Sequence, residues 1–324
     1  MSRIAGLHRL LSDSVKLKYM RRKTFAHQLH AKHEQQARHG GGFTAWPDDR
    51  GLLFEYQVPP RICSSGAMPV SALLSIVDET TTWASMGVDK DRRPGVSIAL
   101  DTALTDYDRP VRAGDRLIFE SRVQKLGAYI GFIECEVFDA ASGRAVCRGS
   151  HTKFLDMGLA WRVLMRDPVY PYTAALLRRF ATRATPDVPP QVGLDDADEF
   201  ETLLAPVRSE ASPGGQAVAA FVCLPEHLQE TSILFGGLQA MLHERAGLLA
   251  AQQLLPPSPA PPRLCAMRVR YLGSGRLGEE LEARVDGALA WRGAGVTAAS
   301  QLVHVGGGAS KAGPRSEAHL EFAA

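Results

Sequence analysis

The 324-residue chain lacks most of the signatures that assign a function at sight. It has no Walker loop and no dinucleotide fingerprint, so a glycine-rich phosphate cradle is not where its chemistry starts. Its basic segment carries no aromatics among the charges beyond Tyr19 and Phe25, which argues against a nucleic-acid surface. No apolar run reaches the roughly 18 residues of a membrane-spanning helix, since even the stretch from Ala67 to Ala84 contains Asp78 and Glu79. The five cysteines (Cys63, Cys135, Cys147, Cys223, Cys265) are odd in number and form no C-x-x-C pair. That disfavours a zinc ribbon or a secreted disulfide scaffold and fits a reducing compartment.

What is present begins with length and charge. The chain is about twice an ordinary single domain, so two domains are expected. The net charge of +2 is unevenly distributed. Residues 1–40 hold nine Lys and Arg against Asp13 and Glu34, a charge of +7, and the remaining 284 residues hold 28 basic against 33 acidic side chains, a charge of −5. Ile4, Leu7, Leu11 and Val15 fall at helical spacing with Arg3, Arg9, Lys16 and Lys18 between them. This basic amphipathic arm reads as a mitochondrial address, with a cytoplasmic location as the alternative. It is also the element that would meet a membrane surface or a protein partner. His27, His30 and His33 are three residues apart, not the i, i+4 spacing of a helical metal pair, and read as a solvated face.

Beyond the arm (1–49) the spacing predicts an α+β plan. Strand 52–58, a long buried helix 70–86, and strands 96–104, 116–124, 129–138 and 145–154 form a first domain over 50–156. A connector, 157–200, includes a basic helix at 172–183 and a Pro-rich acidic stretch. The plan then repeats over 201–305: strand 217–224, helix 236–253, and strands 264–272, 281–285 and 296–305 in a shorter sheet. An internal duplication accounts for the repetition. The Gly-, Ser- and Ala-rich tail, 306–324, reads as flexible.

Four stretches in the first domain, Val77-Asp78-Glu79-Thr80-Thr81, Pro94-Gly95-Val96-Ser97, Arg112-Ala113-Gly114-Asp115 and Arg148-Gly149-Ser150-His151-Thr152-Lys153, resemble the hotdog-fold acyl-CoA thioesterases of the PaaI and Them type. Phe235-Gly236-Gly237-Leu238-Gln239-Ala240 and Arg268-Val269-Arg270-Tyr271-Leu272 extend a weaker likeness into the second. The resemblance implies two tandem hotdog domains, each an antiparallel sheet wrapped around one apolar helix. In that family a helix opens with H-G-G and its acid follows nine positions later. At 1.5 Å per residue the two are roughly 13 Å apart, so each site needs the acid of one helix and the amide of another.

Two composite sites follow. The first joins Asp78 and Ser97 to Gly236, with Gln229 in place of the family's Asn and Phe235 in place of its His. There Asp78 is expected to act as general base or nucleophile and the Gly236 amide to polarise the thioester carbonyl. The second is degenerate, with Glu244 as its acid, Leu264 at the Ser position, Cys63 for the Asn and Pro69-Val70-Ser71 for H-G-G. Arg148 and Lys153 are candidate contacts for CoA phosphates, and Phe235 lies beside the substrate. His39-Gly40-Gly41 followed by Asp48 mimics the motif, but Pro47 breaks any helix between them. The expected function is hydrolysis of acyl-CoA at one surviving site, with the CoA thioester as substrate and no cofactor. The alternative is a silent hotdog protein serving as an accessory subunit of a larger, mitochondrial assembly.

Overall fold

The computed structural model describes Thr44–Ala45, residues 50–176 and residues 208–323, apart from short breaks at 65, 108, 174, 177–207, 213, 225–226, 228–233, 256–261, 292–294 and 306–312. The basic arm with its His triad, the 39–48 mimic, Gln229, most of the expected helix at 172–183 and the Pro-rich stretch lie outside the described residues.

Twelve strands form one antiparallel sheet. In chain order they are β1 (Thr44–Ala45), β2 (Gly51–Gln57), β3 (Val96–Leu104), β4 (Arg116–Leu126), β5 (Ile130–Asp139), β6 (Ala145–Phe154), β7 (Arg208–Ser212), β8 (Gln216–Val222), β9 (Arg263–Tyr271), β10 (Glu280–Trp291), β11 (Gly295–His304) and β12 (Ser316–Ala323). Among the described residues the helices used below are α1 (Val70–Val88), α2 (Gly158–Met165) and α3 (Gly236–Leu254). Across the sheet the order is β1-β2-β4-β5-β6-β3-β9-β12-β11-β10-β8-β7. The second six strands thus repeat the order of the first six in reverse, and the halves meet where β3 pairs with β9, Leu100 opposite Val269.

Each long helix sits in the curve of its own half-sheet, and α1 and α3 also pack on each other. In α1, 15 of 19 residues are buried, which leaves almost no solvent face and makes it a central helix. Two of its hydroxyls are satisfied within the helix: buried Ser75 donates to the Ser71 carbonyl (2.7 Å) and half-buried Thr82 to the Asp78 carbonyl (2.6 Å). The core fills with Phe54, Leu73, Ile76, Phe119, Ile133 and Val137 in the first half and Leu238, Leu242, Val269, Leu281, Leu302 and Leu320 in the second. Among the described residues no helix is long and apolar enough to cross a membrane.

Two expectations are corrected, and the connector holds a helix that was not expected. The tail is not flexible throughout, because Ser316–Ala323 forms β12, hydrogen-bonded on both edges between β9 and β11. Its Ser316, Ala318, Leu320 and Phe322 point inward, so alternation places it in the core. The second sheet is not shortened: β10 runs to Trp291, past a register shift between Val285 and Gly287 that interrupts its alternation. The connector begins with a helix at Gly158–Met165, tied back to the first half by Arg92, which donates to the Met165 carbonyl (2.6 Å) and pairs with Asp167 (3.0 Å).

Candidate active site

Asp78 and Glu244 are each the ninth residue of a 19-residue helix. Because α1 and α3 pack together, each acid reaches the start of the other helix.

At the first pair, Asp78 lies beside the N-terminus of α3. A Cβ placed on Gly236 would be 3.4 Å from Asp78 Oδ2 and 3.3 Å from the Tyr271 ring. The N–H groups of the first turn have no partner within the helix and carry the positive end of its dipole. Gly237 answers to packing: a Cβ there would fall 2.2 Å from Ser75 Oγ and 2.7 Å from Ser75 Cβ, so only glycine lets α3 start this close to α1. Tyr271, from β9, donates its hydroxyl to the Gly236 carbonyl (3.2 Å) and holds that turn in place.

Around Asp78 the first half supplies five polar side chains. Ser97 Oγ is 3.2 Å from Asp78 Oδ1, His151 Nε2 is 3.0 Å from Ser97 Oγ, and His151 Nδ1 is 2.7 Å from Thr81 Oγ1. Lys153 donates to Thr82 Oγ1 (2.7 Å) with its ammonium 3.9 Å from Asp78 Oδ1. Gly95, at φ +65°, turns the chain into β3 and sets Ser97 two residues later. A Cβ there would strike the Phe154 carbonyl at 2.7 Å.

Burial is the largest influence on each titrating group here. It raises the Asp78 carboxyl, opposed first by the Lys153 ammonium, while Glu79 adds to the rise and hydrogen bonds from Ser97 and Thr82 lower it. It pushes His151 well below the usual imidazole range, with Lys153 acting in the same direction, and it lowers Lys153 against the pull of Asp78 and Glu79. A neutral His151 satisfies the chain in two ways. With Asp78 ionised, Thr81 donates to Nδ1, Nε2–H donates to Ser97 and Ser97 donates to Asp78. With Asp78 protonated every donor reverses: Asp78 to Ser97, Ser97 to Nε2, Nδ1–H to Thr81, and Thr81 to the Val77 carbonyl at 2.5 Å. The same three side chains therefore accommodate the carboxyl before and after it takes a proton.

At the second pair the acid is one methylene longer, and it docks on the opposite helix. Glu244 Oε2 accepts the Ser71 amide (3.0 Å) and the Ser71 hydroxyl, and the Val70 amide also bonds the carboxylate. The helix-start donors are here consumed by the protein's own carboxylate. Leu264, where β3 has Ser97, is buried. Cys63 is half-buried, with its thiol on the Pro59 carbonyl (3.8 Å) and its pKa raised by burial and then by Asp115, the state of an inert thiol.

The substrate-contact expectations change. Arg148 and Lys153 do not share a face: Arg148 is exposed and paired with Glu136 (2.9 Å), while Lys153 is buried beside Asp78. Five residues along a strand reverse the side-chain direction, and β6 lies inside the sheet, so Lys153 meets the acid instead of solvent. That parity was the signal available for Lys153 and for His151, which lies on the same inward face. Phe235 is a buried core side chain at the start of α3. Tyr271, Thr81 and Thr82 carried no site signal of their own. Among the described residues no group of three His, Cys, Asp or Glu side chains is placed to hold a metal ion.

The thioesterase superfamily model matches residues 71–146, the segment that contains Asp78 and Ser97. The matched segment is thus similar to the thioesterase superfamily over residues 71–146, within the first half of the chain. Human acyl-coenzyme A thioesterase 13 is 27% identical over 81 residues, which is 25% of this chain and 55% of that protein, and the mouse protein is 26% identical over the same span. The chain thus spans about half the length of the curated relatives it matches. Over a larger extent the fold is similar to a protein described as an oleoyl thioesterase from Lactobacillus plantarum, with TM-score 0.56 and 12% identity over 86% of this chain and 98% of that one. It is also similar to the 12:0-ACP thioesterase from Umbellularia californica, with TM-score 0.51 and 12% identity over 84% and 93%.

Proposed function

We propose that the protein hydrolyses acyl thioesters, with acyl-CoA as the substrate class, as a tandem double hotdog with one working site. The observation that carries the reading is the approach of Gly236, at the N-terminus of α3, to Asp78 Oδ2 from α1. It puts oxyanion donors and a base on opposite sides of one small space. The thioester carbonyl oxygen accepts from the Gly236 amide, and Asp78 takes a proton from a water that attacks the carbonyl carbon. The tetrahedral oxyanion rests on the first-turn amides. When the carbon–sulfur bond breaks, the thiolate takes the proton back from Asp78, leaving a carboxylic acid and free CoA thiol. Ser97, His151 and Thr81 reverse their hydrogen bonds as Asp78 changes protonation, so neither state leaves a buried polar group unpaired. Gln229, six residues before Phe235, is the proposed holder of water or substrate.

At the other pair the Val70 and Ser71 amides are occupied by Glu244, and no hydrolysis is assigned to it. The test is turnover of an acyl-CoA series from acetyl to palmitoyl by the purified chain. The accessory-subunit reading predicts no turnover at any length. The mitochondrial address proposed for residues 1–49 is tested by fusing them to a fluorescent reporter and following its import.

A further inference from the structure

The second pair has lost its chemistry and kept a cavity. A pocket of about 560 Å³ opens above Glu244, within the roughly 300–1,000 Å³ range of small-molecule sites. Its walls are apolar, built by Leu73, Leu104, Val111, Met241, Leu248 and Leu264. Leu264 replaces the serine of the working half, so the divergence that removed a polar group made the wall greasier. Three arginines line the same pocket, Arg109, Arg245 and Arg263, against one carboxylate, Glu244. That carboxylate is held by the start of α1 and is not available to an incoming cation. Arg109 and Arg245 are exposed, and Arg263 is steered by its bond to the Tyr107 carbonyl (2.5 Å). A concave apolar volume with guanidinium groups around it is complementary to an amphiphile with an apolar chain and an anionic head.

We propose that this pocket binds a long-chain acyl group carrying an anionic head and retains it uncleaved. The chain fills the volume between α1 and α3, and the head meets the arginines. Retention follows from the same contacts that define the pair. Glu244 occupies the Val70 and Ser71 amides, so a thioester carbonyl entering here finds no oxyanion donor, and Leu264 offers no hydroxyl to orient a water. The head is a carboxylate if the ligand is a free fatty acid and a phosphate if it is a CoA ester. The proposal does not rest on hydrolysis at Asp78.

The test is calorimetric titration of the full chain at low ionic strength with palmitate and with the uncleavable thioether analogue of palmitoyl-CoA. Two variants are compared with the parent: Leu248→Trp, which fills the pocket, and Arg109→Glu/Arg245→Glu, which reverses the charge around it. The expected result is that Leu248→Trp removes one binding site from the stoichiometry of the parent protein. If Asp78 also lies in a working site, the analogue falls from two sites to one; if it does not, the analogue falls from one to none. The charge reversal weakens that site about tenfold, equivalent to ~1.4 kcal/mol, and acyl-CoA turnover stays unchanged in both variants. Binding of palmitate identifies the carboxylate as the head, and binding of the analogue alone identifies the phosphates. Absence of binding by both ligands, or stoichiometry and affinity unchanged by the variants, overturns the proposal. Circular dichroism verifies that Leu248→Trp is folded, and the charge-reversed protein, altered only at exposed positions, carries the test if it is not.

Discussion

Glu244 Oε2 lies 3.0 Å from the Ser71 amide, so the acid of the second helix caps the first helix. Asp78, at the equivalent position of α1, instead stands off from Gly236 with Ser97 on its other side. One methylene and one changed helix start thus separate an acid that caps the opposite helix from one that does not. The two halves share an architecture, and the acid of the second is tied to the opposite helix start where the acid of the first is tied to Ser97.

The capping role gives the first prediction. Glu244→Ala leaves the Val70 and Ser71 amides buried without their acceptor, and removing an acceptor from a buried donor costs about 1–3 kcal/mol. Chemical denaturation is expected to show that loss, with turnover of the remaining folded protein unchanged. A variant as stable as the parent would mean the Glu244 contacts contribute nothing.

The two glycines of α3 separate by function. Gly237→Ala forces a Cβ into Ser75 and is expected to destabilise by about 1–3 kcal/mol, the usual cost of overpacking. The Ser75→Gly background removes the Ser75 part of the clash and leaves the Phe235 ring at 2.5 Å, so a double-mutant cycle reads a partial rescue. Gly236→Ala places a Cβ 3.3 Å from the Tyr271 ring and 3.4 Å from Asp78 Oδ2, a tight fit that a small shift of the ring relieves. It folds normally and lowers kcat about 10–100-fold by crowding the space between the amide and Asp78.

Buried neutral imidazole makes the fold acid-sensitive. His243 bridges Ser300 and Ser316, each at 2.9 Å, and burial drives its pKa down to about 3. The unfolded chain takes up a proton near pH 6.5 and the folded one does not, so this contribution is complete above 6.5 and is lost as pH falls toward 3, at about 1.4 kcal/mol per unit. His243→Gln keeps a donor and an acceptor without the titration. Denaturation at pH 7 and pH 5.5 is expected to show a smaller acid loss in the variant, and an equal loss in both proteins would exclude His243 as the source.

The pH–rate profile reports Asp78. As general base it is active when ionised, and burial raises its pKa, so the acid limb of kcat/KM is expected above the range of an exposed aspartate. Lys153 is the largest influence keeping the carboxyl ionised. Lys153→Met is therefore expected to move the limb to higher pH while leaving the high-pH plateau of kcat within a few-fold. A limb that stays in place would remove Lys153 from the electrostatics of the site.

Much of this was legible in the sequence because the information is local. The apolar spacing along α1 and α3 and the turns between strands place both helices and most of the sheet, while the Asp78–Gly236 pairing came from what the resemblance to the hotdog thioesterases implies. What escaped is non-local or masked. The acceptor of the Ser71 amide is 173 residues away, and no local pattern announces it. In β10 the register shift after Val285 hides the strand's second half, and in the tail the Gly-rich approach disguises the alternation of Ala318, Leu320 and Phe322. Lys153 was misjudged by reading charge without parity.

The most direct test of the central claim is acyl-CoA turnover measured side by side for the parent, Asp78→Asn and Glu244→Gln. One working composite site predicts hydrolysis by the parent, loss of at least about a thousandfold in Asp78→Asn with the fold intact, and a rate within a few-fold of the parent in Glu244→Gln. Undiminished turnover in Asp78→Asn, or no turnover by the parent at any chain length from acetyl to palmitoyl, contradicts it.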